Sequence, residues 1–204
     1  MEQPTMPITW TENIIIADAD YIDHVAFDLT VNFERMLMRR IPPADMARWA
    51  ECIALDGGLR PKDNATESTH LILIHDKAKT ALDNFLPANY DKELNSCAFK
   101  GPLGEFTISA LPVEETTTKT DFLLDTMRLV CAQKDVKRVM VIPNTEEGTV
   151  YDDIRTALHR FDDDTKRITV FAMQPMPGGN FRQEILGYSL MNALGIHAEE
   201  IKTT

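Results

Sequence analysis

With 204 residues, 44% of them hydrophobic and 26% charged along the whole length, the chain is long enough for a sizeable core and is neither disordered nor low in complexity. A net charge of −11 excludes a broad electrostatic grip on DNA or anionic lipid, which needs clustered Lys and Arg to neutralise phosphates. Three cysteines, Cys52, Cys97 and Cys131, without a Cys-x-x-Cys pair, exclude a disulfide framework and a zinc ribbon, and no apolar run approaches the roughly 20 residues of a membrane span.

The expectation from these bounds is one soluble, cytoplasmic α/β domain over residues 1–204, with disorder only at the ends, 1–12 and 202–204. The local basic stretches, Met36 to Arg40 and Arg155 to Arg160, read as solvated helix faces.

Asn13-Ile14-Ile15-Ile16-Ala17-Asp18-Ala19-Asp20 opens the fold as a buried strand that delivers two aspartates to the rim of a sheet. Ile22, Val25, Ala26, Leu29, Phe33, Met36 and Leu37 then recur at helical spacing, predicting a helix from Tyr21 to Arg40. Pro42-Pro43 breaks it, and Asp45 to Leu55 reads as a second helix stopped at Gly57-Gly58. A polar loop spans residues 59–68. His70 to Asp76 is a continuous apolar strand, as expected in a parallel sheet buried on both faces.

Lys77 to Phe85 is read as a short helix and residues 86–104 as irregular. Glu105 to Leu111 alternates like a strand near an edge, and Lys119 to Lys134 is helical. Arg138 to Ile142 is a strand, followed by a helix from Gly148 or Thr149 through Phe161. A turn at Asp162-Asp163-Asp164, a strand from Arg167 to Met173, a turn from Pro175 to Gly179 and a helix from Phe181 to Leu194 complete the chain. The pattern predicts a Rossmann-like, three-layer α/β/α sandwich with a mostly parallel sheet of about five strands.

Ligands of such sheets bind outside the carboxyl ends of the strands. Asp18, Asp20, Asp76, Asn144, Glu146, Glu147 and Gly178-Gly179 are therefore site candidates. Asp121 and Asp125 share one face of the helix before the fourth strand. Converging with Asp18 and Asp20, they would hold Mg²⁺ or Mn²⁺, hard cations that take oxygen ligands and activate water beside a phosphate. Each acid also has a purely structural reading. Thr118-Lys119-Thr120-Asp121 fits a capping box, Asp125 fits a solvated helix face, and Asp18 and Asp20 fit a helix cap. The five histidines have no metal-ligand spacing, and no Gly-x-Ser-x-Gly is present.

The order of these pieces resembles the NYN branch of the PIN-like ribonuclease domains: Ile14 to Asp18 or Asp20, His70 to Asp76, Lys119-Thr120-Asp121 with Asp125, Val139 to Ile142, and Ile168 to Ala172. The resemblance implies metal-dependent RNA cleavage, with Asp18, Asp20 and Asp121 as ligands and Asp125 or Glu146 assisting. The chain departs from it after the fourth strand. Pro143-Asn144-Thr145-Glu146-Glu147-Gly148 stands where the family has a Ser-Gly-Asp-x-Asp type motif.

That departure and the acidic surface favour a non-catalytic binding or interaction module with a protein, RNA or small-molecule partner. Asp18-Ala19-Asp20 is also similar to the Asp-x-Asp of haloacid-dehalogenase-like phosphatases, although Tyr21-Ile22 follows instead of a Gly-Thr type pair. The whole chain is similar to a family of uncharacterised proteins from Bacteroidetes-type bacteria, which carries no activity over.

Overall fold

Three consecutive isoleucines, Ile14 to Ile16, prefer extended backbone because of their branching at Cβ, and all three are fully buried. In the computed structural model, which describes residues 10–61, 67–161 and 166–202, they form the centre of a strand buried along its whole length. The turn expected at Asp162 to Asp164, half of the polar loop and most of the expected terminal disorder lie outside the described residues. Within them, Glu12 is held in place, its carbonyl accepting from the Lys137 and Arg138 amides.

The elements in chain order are β1 (Asn13–Asp18), α1 (Ala19–Leu37), β2 (Ala44–Asp45), α2 (Met46–Asp56), β3 (Ser68–Asp76), β4 (Phe85–Leu86), β5 (Ala98–Gly101) and β6 (Gly104–Val113). There follow α3 (Lys119–Cys131), β7 (Arg138–Ile142), α4 (Val150–Leu158), β8 (Arg167–Ala172), β9 (Arg182–Ile185), α5 (Leu186–Ala193) and α6 (Ala198–Ile201). The main sheet has seven strands in the order β5-β6-β3-β1-β7-β8-β9, more than the five expected, and only β5 runs antiparallel to its neighbour. A small second sheet pairs β2 with β4.

Strand residues alternate between two cores. Ile15, Ala17, Leu71, Leu73, Met140 and Phe171 pack with apolar residues of α1, α2 and α5. Ile14, Ile16, Ile72, Ile74, Val139 and Val141 pack with those of α3 and α4. Each fully buried isoleucine contributes about 1.5–3 kcal/mol. No helix among the described residues is long and apolar enough to cross a membrane. All three cysteines are free; Cys131 is buried, and Cys52 and Cys97 are half-buried.

Three expectations are corrected. Residues 77–85 form no helix, because Asp23 draws the Asp83 and Asn84 amides into an extended strap. Residues 86–104 are not wholly irregular: Tyr90–Leu94 is a π-helical turn, and β5 zips onto β6, which is therefore not an edge. The segment from Phe181 to Leu194 divides into β9, parallel to β8, and the shorter α5.

One ion pair ties the end of the chain to α1. Arg39, just beyond α1, donates from Nε and Nη2 to Glu200 Oε1 and Oε2 at 2.8 and 2.9 Å. The bonds from Arg39 and the His197 amide hold the Glu200 carboxyl at about 2, below the ordinary 4.5. A depressed folded-state value stabilises above the unfolded one and loses that stability as pH falls through the folded one. Glu200→Gln is therefore expected to lower the urea midpoint at pH 6, with the deficit vanishing between about pH 4.5 and 2; urea titrations across that window check it.

Candidate functional site

Along the parallel part of the sheet the order β6-β3-β1-β7-β8-β9 reverses direction between β1 and β7. Crevices at such a reversal are where open α/β sheets bind ligands. Asp18 ends β1 at this point and caps α1, its Oδ1 accepting from the Tyr21 amide at 3.0 Å. Asp20, in the first turn of α1, accepts from the Asp76 amide at the end of β3 at 2.8 Å.

Lys119, the first residue of α3, places its ammonium between these carboxylates, 3.1 Å from Asp18 Oδ1 and 2.8 Å from Asp20 Oδ2. Lys79 Nζ lies 3.3 Å from the other Asp20 oxygen, Oδ1, as an ion pair without hydrogen-bond alignment. Two carboxylates and two ammoniums thus balance at the rim.

Burial pushes the Asp18 carboxyl above its ordinary value, and the Lys119 charge offsets only part of that. Burial acts on Asp20 too, but the bonds from Lys119 and the Asp76 amide, with the charge of Lys79, outweigh it and hold Asp20 low. Lys119 itself is raised: burial lowers it less than Asp18 and Asp20 raise it. Asp20 is thus the firmly ionised member of the pair.

The other predicted residues are placed differently. Glu146 accepts from the Tyr21 hydroxyl at 2.8 Å, so one tyrosine joins the loop after β7 to the residue that Asp18 caps. Thr118 caps α3, its Oγ1 accepting from the Asp121 amide at 3.1 Å, while the Asp121 carboxylate accepts from that same hydroxyl at 2.6 Å instead of from the Thr118 amide that a full capping box would use. Asp125 is exposed and pairs with Arg128 at 3.0 Å. Asn144 accepts from the Glu146 amide within its own loop, where its Nδ2 also donates to Glu147 at 3.2 Å. At Gly178 the carbonyl, not the amide, is engaged, accepting from Tyr151 and Gln183.

The rim acids are engaged within the chain. The Asp18 and Asp20 oxygens already receive Lys119, Lys79 and two amides, and Mg²⁺ with oxygen ligands at about 2.0–2.1 Å would have to displace Lys119. No group of three or more His, Cys, Asp or Glu able to hold a metal ion occurs among the described residues.

Four functional candidates were missed in the sequence. Lys119 and Lys79 neutralise the acids, and Tyr90 stacks on His75 with ring centroids 3.7 Å apart. Burial and the charges of Asp20, Asp23, Asp18 and Asp83 push the Tyr90 hydroxyl upward, and it has no hydrogen-bond partner. Lys119 did leave a signal: a cation on the first residue of a helix opposes the helix dipole, which suggests that a charge elsewhere holds it. Beside it opens a cleft of about 460 Å³, lined by Asp76, Lys77, Val113, Glu114, Thr117 and Lys119.

Residues 7–201 match a family of unknown function, DUF6621, and the chain belongs to that family. No curated protein and no solved structure matches it.

Proposed function

We propose that this chain is a non-catalytic binding or interaction module: a soluble, Rossmann-like three-layer domain of PIN-like order whose rim acids serve an internal ion network instead of a metal. The observation that carries this reading is the Lys119 ammonium between Asp18 and Asp20, with Lys79 on the remaining Asp20 oxygen. A balanced set of charges attracts a divalent cation weakly, because each ligand must first give up a partner of opposite sign. The adjoining cleft, with mixed charges at its walls, suits a small polar ligand or a polar side chain of a partner protein.

The test is calorimetric titration of Mn²⁺ into the wild type and Asp18→Asn, followed by incubation with single-stranded RNA. The expected result is no saturable heat in either protein and no cleavage at high protein concentration. Saturable binding in the wild type that disappears in Asp18→Asn, accompanied by RNA cleavage, overturns the reading.

The second reading is a Mg²⁺- or Mn²⁺-dependent ribonuclease, with Asp18, Asp20 and Asp121 as ligands and Asp125 or Glu146 assisting. What favours it is the Tyr21 link that brings Glu146 to the same rim as Asp18.

A further inference from the structure

At the opposite, amino end of the sheet positive charge gathers without that balance. Arg138 and Arg167 begin β7 and β8 and are register partners on adjacent strands. Arg182 begins β9 opposite Thr169, two residues beyond Arg167 and therefore on the same face. Arg60, after α2, stands close enough for its charge to act on Arg167 along with those of Arg182 and Arg138. Arg138 and Arg167 are half-buried, whereas Arg60 and Arg182 are exposed, so the cluster runs from the sheet surface out to solvent.

Like charges side by side on one sheet face repel, and such an arrangement lowers stability unless something neutralises it. Little in the chain does. Among the described residues no carboxylate forms an ion pair with any of the four. Arg138 donates to the neutral Asn13 side chain at 2.9 Å, and Arg60 donates to the Leu55 and Leu59 carbonyls at 2.8 and 2.7 Å.

The Nε–H groups of Arg138 and Arg167 are buried without a hydrogen-bond partner. The Arg167 guanidinium lies against Gly58, whose φ of +96° and missing side chain make room for it; a Cβ there would overlap it. Asp56 and Glu184 act on the cluster from a distance, leaving four positive charges against two negative.

We propose that this cluster binds a phosphate monoester group of a small molecule. A surplus of two positive charges matches a phosphate dianion, and guanidinium forks offer paired N–H donors to its oxygens. The cluster lies at the amino ends of β7, β8 and β9, away from the rim acids, and stands or falls independently of the module reading.

The test is calorimetric and thermal-melt titration with inorganic phosphate against sodium chloride of equal ionic strength. It uses the wild type, Arg167→Gln and Arg182→Gln, with a short RNA lacking terminal phosphates as a further arm. Phosphate is expected to raise the wild-type melting temperature saturably. Each substitution is expected to weaken binding at least about tenfold, the effect of one lost charge-assisted hydrogen bond.

Arg182→Gln, on an exposed edge strand, is expected to melt no lower than wild type in phosphate-free buffer, because it removes a repulsion. A phosphate effect no larger than that of chloride overturns the proposal, as does undiminished binding in both variants. Binding of RNA but not of phosphate also overturns it and assigns the cluster to nucleic-acid backbone instead.

Discussion

Replacing Lys119 with methionine is expected to destabilise the protein by about 2–4 kcal/mol at neutral pH. Removing one partner from an enclosed ion cluster costs about 3–5 kcal/mol, and the 29% exposure of the Lys119 side chain lowers that figure through solvent screening. Asp18, already raised by burial, rises further once its counter-charge is gone.

A carboxyl raised in the folded state penalises folding above its folded pKa, and the penalty is relieved as pH falls through that value. The deficit is therefore largest near pH 7 and shrinks toward the carboxylate range, which urea unfolding at pH 7 and pH 5 measures. In the same variant the two acids become available to a cation, so about 1 mM Mn²⁺, roughly a thousand times a micromolar dissociation constant, is expected to raise the melting temperature of Lys119→Met and not of wild type. Equal stability of Lys119→Met and wild type at pH 7 sinks the argument for an internal counter-ion.

The second large effect is expected at Asp23. Its buried carboxylate accepts from the Asp83 amide at 3.1 and 3.0 Å and from the Asn84 amide at 2.8 Å, pinning the strap 77–85 against α1. Asp23→Ala leaves two amides without their acceptor, each costing about 1–3 kcal/mol, for a total of about 2–6 kcal/mol. Asp23→Asn keeps one acceptor oxygen and is expected to lose about half as much. Native-state hydrogen exchange reads the local consequence: the Asp83 and Asn84 amides should exchange much faster in Asp23→Ala, while that of Ile15, in the central strand, should change only with global stability.

What was legible in the sequence follows from what is buried. β1, β3, β7 and β8 announce themselves because both their faces meet a core, so their apolar residues run nearly continuously. β9 does not: Arg182-Gln183-Glu184 are exposed on an edge, and the apolar residues of α5 that follow let the whole stretch pass for one helix. No local periodicity records the conformation of the strap 77–85, because a carboxylate sixty residues earlier decides it.

The site divides in the same way. The acids at the end of β1 were visible from their position after an apolar run. Their neutralisation was not, since Lys79 comes from an irregular strap and Lys119 from the far side of the β6-to-α3 connection. Asp121 illustrates the reverse case: Thr118 caps the helix as the capping-box reading expects, although the Asp121 carboxylate meets the Thr118 hydroxyl and not its amide.

The central place of β1 also bears on how the chain is made. β1 leaves the ribosome before both of its neighbours, which come from residues 69–74 and 138–142. At about 5–20 residues per second, the second edge of an isoleucine-rich strand waits on the order of ten seconds for its partner. During that interval the strand, apolar from Ile14 to Ala17, keeps one open side that only β7 will cover.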